Sequence, residues 1–343
     1  MEVVSRPTVA IALFVFAMAL IPLNDSLIKL MSDKMSIFQI LGLRAGISLA
    51  ILALIPATIP AVIKLAPKTW LKLFVRSICL VGAMLFFFLP LASLSLAEVS
   101  AIFYTAPLLI SVLSVPILGE RLGIYRISAI FVGLAGVIFI VKPGSDGFQL
   151  SYLMPIASAL SYAAFQIITR YIRNEAPVIA MVAVQNIVYF SAGIIGVALI
   201  FLLKPQIPDD PISGFLMRGW TTPGTIEIIY LGVAGVFVLN LAFCSTNVYS
   251  NVEATLVAPF EYIALPMAVF WGIMIWGDWP DLNAWVGISM IIGSGIFLIY
   301  RENRKNREVA SSAPMRSAAT NTARLANGGW PEQKKFKPLP FCF

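Results

Sequence analysis

Apolar residues run almost without relief along this chain, and the polar positions fall in short clusters between the runs. Stretches long enough to cross about 30 Å of hydrocarbon as helix fall at 8–30, 37–60, 71–91, 97–118, 124–141, 149–171, 178–203, 225–247, 252–276 and 283–300. Only a helix or a closed barrel satisfies its backbone in lipid, and runs of this length predict helices. The punctuation agrees. "KPG" at 142–144 closes span five and "KPQIPDDP" at 204–211 closes span seven, where proline cannot continue a helix. The expectation is an all-α polytopic membrane protein of ten transmembrane helices.

Composition supports the class. With 59% hydrophobic and 12% charged residues among 343, and a mean hydropathy of +0.89, the chain lacks the polar surface of a soluble domain. The net charge of +7 is an orientation signal rather than a nucleic-acid footprint, because nine of the 24 Lys/Arg residues lie in the last 43 positions. On the side shared with the N-terminus the loops and tail carry 17 Lys/Arg, against five on the other side, with Arg44 and Arg76 inside spans. Both termini are therefore expected in the cytoplasm, with the chain in the cell inner membrane. Residues 301–343 read as a basic, disordered cytoplasmic tail, either simply solvated or touching lipid headgroups. The apolar run after Arg6 has no A-x-A-like site behind it and reads as span one, not a removed signal.

The two halves resemble each other. At an offset of 141, Asp25 falls on Gln166, Lys29 on Arg170 and Arg44 on Gln185. Later, Pro107 matches Pro259 at offset 152, while Gly119-Glu120 matches Gly277-Asp278 at offset 158. The long 204–224 loop accounts for part of the drift, leaving six residues without explanation. The expected units are 1–145 and 146–300. Each holds five spans, an odd number, so the second copy must enter the membrane inverted, as in many carriers.

"GERLGIYRISAIFVGLAGVIFIVKPG" at 119–144, with its L-G-E turn before a glycine-rich helix, closes the first unit. With ten helices in two units, the chain resembles the EamA-like branch of the drug/metabolite transporter superfamily over about residues 8–300. The second unit is looser: "WGDWPDLNAWVGISMIIGSGIFLIY" at 276–300 has Asp278 where the family often has Glu. The resemblance implies a metabolite carrier, similar to the subgroup that takes up S-adenosylmethionine or riboflavin-like compounds.

Chemistry must come from the few polar residues inside spans. There is no histidine, so a proton-linked step needs Asp, Glu, Tyr or Lys. Glu261 sits mid-span in "VAPFEYIALPMAVFWG" (257–272), where a carboxylate costs about 2.5–3.5 kcal/mol. Either it faces a polar cavity, or it ties span nine to a cation such as Arg44. Pro259 and Pro266 beside it free carbonyls, which suits a cavity wall. Asp25 and Lys29 share a face at i, i+4, as a self-neutralised pair or a gate. Arg44 lies in "GLRAG" (42–46) and needs an acid partner (Glu261, Asp25 or Glu98) or an anionic substrate. Gln166 and Gln185 are the repeat counterparts of Asp25 and Arg44, and Tyr104, Tyr162, Tyr262 and Asn240 are candidate polar handles on an apolar pocket, each of which alone also suits packing. Glu98, Glu120 and Glu253 read as helix-end or turn residues, and "FFF" at 86–88 as packing or lipid-facing bulk. "GLAG", "GVAG" and "GSG" read as close-packing sites, not phosphate loops.

No metal cluster, cofactor motif, ATP-binding motif or paired loop carboxylates mark an enzyme. The expected function is a secondary carrier of a small organic metabolite or drug-like solute. It would work by alternating access, either proton-coupled through Glu261 or by exchange. The alternative is a non-transporting membrane sensor or assembly protein. The expected partners are the solute and the lipid bilayer, with no nucleic acid and no cofactor.

Overall fold

A computed structural model describes residues 6–119, 124–141, 150–205, 209–252 and 257–312. Every regular element among them is helical. Six helices are long and apolar enough to cross a membrane, and four shorter apolar helices lie at Ile37–Ala53, Ile127–Val141, Phe260–Trp276 and Leu282–Phe297. These segments fall on the predicted spans, and the protein is a multi-pass membrane protein.

In chain order the helices are α1 (Arg6–Met31), α2 (Ile37–Ala53), α3 (Thr58–Ile63), α4 (Pro67–Phe88), α5 (Leu96–Phe103), α6 (Ala106–Leu118) and α7 (Ile124–Val141). They continue with α8 (Leu153–Tyr171), α9 (Val178–Leu203), α10 (Pro211–Met217), α11 (Thr225–Asn251), α12 (Ala264–Trp276) and α13 (Leu282–Ser312). Several differ from expectation. Span two ends at Ala53, and the short α3 follows it after Pro56. Span four is interrupted at Tyr104–Thr105, and span nine begins as a 3-10 turn, Ala258–Ile263, before α12. The last helix runs past 300 to Ser312, so "RENRKNRE" is helical rather than disordered. Residues 313–343, Glu120, Glu253 and the "KPG" of 142–144 lie outside the described residues.

The interruption at span four has a local cause. Pro107 lies in the first turn of α6 and has no N–H to bond back along the chain. That leaves the Phe103 carbonyl without its helical donor, and just before it the Ile102 carbonyl accepts from the Thr105 backbone N–H, at 3.1 Å, and from its hydroxyl, at 2.8 Å. Such breaks at membrane depth persist where the backbone lines a cavity.

The element starts also correct the repeat register. α2 begins at Ile37 and α9 at Val178, 141 residues later. α4 and α11 begin 158 apart, at Pro67 and Thr225. So do α6 and α12, at Ala106 and Ala264, and α7 and α13, at Ile124 and Leu282. Gly119 and Gly277, again 158 apart, both take φ near +70° to close α6 and α12. The step therefore happens once. It is taken up by α9, with 26 residues against 17 in α2, and by the longer link that contains α10. Pairing Pro107 with Pro259 was the wrong register. The uniform offset sets Tyr104 against Tyr262 and Phe103 against Glu261, and leaves no drift to explain.

Small residues let backbones approach. A Cβ on Gly193 of α9 would run into the backbone of Gly42 in α2, and one on Gly287 of α13 into Gly136 of α7. Gly193→Val is expected to destabilise by about 1–3 kcal/mol, as over-packing does. Detergent melting checks this, and an unchanged midpoint would mean that α2 and α9 separate freely.

Candidate functional site

The break in span four and the 3-10 turn of span nine open on one chamber. α1 contributes Met18, Ile21, Asn24 and Asp25, and α2 contributes Arg44. Phe103 and Tyr104 come from the break in span four, Glu261 from the 3-10 turn of span nine, and Gln185 and Tyr189 from α9. α4, α8 and α11 complete the walls with Phe87, Phe88, Tyr162, Phe165, Ser245 and Thr246, among others. The chamber opens to solvent at its mouth, and its volume is about 860 Å³ with that open space counted. Its lining is apolar and aromatic with a few polar groups.

The acidic corner is a hydrogen-bonded cluster. Glu261 is 1% exposed. Its Oε1 accepts the hydroxyls of Tyr249 at 2.7 Å and Tyr162 at 2.9 Å. Gln166 donates to the Tyr162 oxygen at 2.6 Å and to the Ser245 hydroxyl at 3.1 Å. Oε2 has no protein donor among the described residues, so this carboxylate keeps one oxygen for a proton or a ligand. Glu261 is not paired with Arg44, so the alternative of a simple ionic tie has no contact behind it.

The basic side holds two buried arginines with different surroundings. Arg76 donates from Nε to the Thr169 hydroxyl (2.7 Å), and from Nη1 to Met181 O (3.3 Å) and Gln185 Oε1 (3.4 Å). Its Nη2 donates to the Thr246 hydroxyl at 3.0 Å, and the guanidinium lies 4.2 Å from the Phe165 ring centroid. It braces the wall from behind. Arg44 lines the chamber itself, with its Cζ 6.0 Å from the Tyr189 ring centroid.

Of the residues singled out from sequence, Asp25, Arg44, Tyr104, Gln185 and Glu261 line the chamber, and Gln166 supports Tyr162 from just behind. Three stand elsewhere. Lys29 turns away from Asp25: its Nζ is 3.7 Å from Asp278, donates to Leu94 O at 3.2 Å, and sits 4.7 Å from the Trp276 ring. Asn240 lies in a groove between α1 and α11 with Phe16, Val233 and Val236, and donates to Val236 O. Val238, Ala242 and Ser245 present the face of α11 that lines the chamber, and Asn240 stands off that face. Tyr262 is buried against Gly295 of α13. Glu98 forms a capping box with Ser95 and accepts from Tyr152, so it caps a helix and is no partner for Arg44.

Sequence reasoning missed Phe87 and Phe88, read there as bulk, along with Tyr189, Tyr249, Ser245 and Thr246. A signal existed for some. Gln185 and Tyr189 are four apart on α9, and Ser245 and Tyr249 four apart on α11, so each pair shares a helix face.

The face of the bundle that carries residues 32–36 is closed by cross-links. Besides Lys29–Asp278, Lys34 pairs with Glu227 at 2.6 Å, Arg218 donates to Ser32 O at 2.6 Å, and Gln39 bonds the Thr221 backbone through both ends of its amide. The hydrogen bond to Glu227 holds Lys34 above its ordinary lysine value. At the opposite face Lys72 pairs with Glu175 at 2.6 Å.

A multi-pass helical bundle, with one span interrupted and another opening in a 3-10 turn beside a chamber that holds buried charges, is the architecture of a membrane carrier. The chain belongs to the EamA-like transporter family, whose model matches residues 8–142 and again 149–301. It is a small-metabolite transporter of that family and not an enzyme. It is similar to a riboflavin transporter of Brucella anthropi, 26% identical over 61% of this chain and 69% of the other. It is also similar to an S-adenosylmethionine uptake transporter of Rickettsia prowazekii, 27% identical over 59% of this chain and 62% of the other. A crystal structure superposes with a TM-score of 0.61 at 17% identity, covering 88% of this chain and 98% of that one, and supports the fold alone.

Proposed function

We propose that the protein is a secondary carrier that binds a planar, aromatic-containing small metabolite in the central chamber and moves it by alternating access. Glu261 would carry the coupling, by proton transfer or during exchange. The observation that carries this reading is the position of Glu261. It is buried in the 3-10 turn that opens span nine and is held by two tyrosines through one oxygen, while the other accepts from no described residue. The aromatic walls suit flat rings, which stack at low entropic cost. Riboflavin and S-adenosylmethionine, the solutes named for the relatives, both contain one.

In this reading residues 1–145 and 146–300 are two inverted units that rock about the chamber, and Asp25, Arg44, Tyr104, Gln166, Gln185 and Glu261 form the translocation site. Lys29 and Asp278 would latch one face shut and part when it opens; Tyr262 and Asn240 would serve packing. The loop charges favour the inner membrane with both termini in the cytoplasm. The test is uptake of labelled riboflavin and S-adenosylmethionine into proteoliposomes, with and without an imposed pH gradient. Saturable uptake of either above protein-free vesicles supports the reading. Linear, protein-independent entry of these and of a broader metabolite panel would sink it.

A further inference from the structure

Arg44 and Arg76 form an internal comparison. Both are arginines of membrane helices and both are buried, at 3% and 0% exposure. Arg76 makes four side-chain hydrogen bonds, which is how a structural guanidinium survives out of water. Arg44 makes no side-chain hydrogen bond and no ion pair with any described residue, although it stands in the chamber wall. The nearby acids are otherwise engaged. Glu261 holds the tyrosines, Glu98 caps α5, and Asp25 accepts from Asn24 at 3.3 Å. Asp25 is within Coulombic reach of Arg44 but beyond ion-pair distance.

The backbone around Arg44 packs closely on two neighbouring helices. Gly42, two residues before, packs on Gly193, and Gly235 of α11 sits against the Arg44 carbonyl. Ser48 locks the same turn by donating to Gly235 O at 2.9 Å. The helix is therefore clamped from two sides, and the guanidinium, which carries five N–H donors, lines the chamber. A guanidinium presents those donors in a planar fork that fits a carboxylate or phosphate with two parallel bonds.

We infer that Arg44 is the docking point for an acidic group of the transported solute, a carboxylate or a phosphate, with the rest of the solute along the aromatic wall. This rests on the chamber being the solute site, as proposed above. It narrows the substrate class to organic acids or phosphates that also carry a flat ring, and it separates two solutes named for relatives, since S-adenosylmethionine carries a carboxylate and riboflavin carries no acid.

The test uses the purified full chain and solute pairs that differ in one acidic group. The pairs are S-adenosylmethionine and its decarboxylated form, flavin mononucleotide and riboflavin, adenosine monophosphate and adenosine, and indole-3-acetate and indole-3-acetamide. Affinity is read by thermal shift and equilibrium binding. The acid member of at least one pair should bind more tightly than its partner. Arg44→Ala should weaken that acid on the order of 30-fold or more and leave the non-acid partner nearly unchanged. Arg44→Lys, which keeps the charge without the fork, should retain part of the affinity and guards against a variant that fails to fold. Equal binding of acid and partner, or an acid affinity that survives in folded Arg44→Ala, would overturn the inference and leave the carrier reading intact. Binding of no member of any pair would overturn the reading of the chamber as a site for ring-bearing solutes, and this inference with it.

Discussion

Glu261→Gln is expected to remove gradient-driven transport, with a fall on the order of 100-fold in initial rate under an imposed pH gradient, while the protein inserts and melts close to wild type. The carboxamide keeps the size of the side chain and an oxygen that still accepts from Tyr162 and Tyr249. The acceptor geometry survives and only the ability to gain and lose a proton is lost. Proteoliposome uptake at matched reconstitution, measured at several pH values, checks this. Equal rates for mutant and wild type at every pH would remove Glu261 from the coupling step. A mutant that exchanges solute at equilibrium but cannot accumulate it would place the proton, rather than solute binding, at this residue.

Arg76→Ala is expected to have the larger structural effect. Its guanidinium ties α4 to α8, α9 and α11 through Thr169, Met181, Gln185 and Thr246. Removing it leaves those acceptors facing an empty volume. Charge-assisted bonds inside proteins are worth about 1.5–3 kcal/mol each, and bonds between membrane helices less, near 0.6 on average. Four together give a loss of about 2–4 kcal/mol. A clear drop in the melting midpoint, with solute specificity unchanged in whatever protein remains folded, is the expected pattern. If Arg76→Ala melts like wild type and loses solute binding instead, Arg76 belongs to the site and the division of labour between the two arginines is wrong.

Much of the architecture was legible because lipid imposes one rule throughout: a span must be apolar and must satisfy its own backbone. The places of the apolar runs follow from that rule, as does the burial of Glu261, Asp25 and Arg44, since a charge within a span needs an interior place. What stayed hidden depends on geometry between helices. The break at Tyr104 could not be read from apolarity, because "AIFYTAPLL" is as apolar as an unbroken helix; only the missing donor of Pro107 marks it. Lys29 and Asp25 share a face by spacing, yet Lys29 is long and sits near a span end, where Asp278 and Trp276 from another part of the chain capture it. Phe87 and Phe88 looked like bulk because nothing in their composition distinguishes a wall facing solute from one facing lipid. Matching prolines misled the repeat register, since a proline marks a local break and need not recur at the equivalent position.

The central claim is that the chamber is reached from each side of the membrane in turn. The direct measurement is thiol labelling of Ser245→Cys, in a background with Cys79, Cys244 and Cys342 replaced by serine, using a membrane-impermeant reagent applied to one face of sealed vesicles at a time. Ser245 lines the chamber beside the Gln166–Tyr162–Glu261 chain. The account predicts labelling from either face, with solute protecting against both. Labelling confined to one face under all conditions, or no labelling from either, would contradict it.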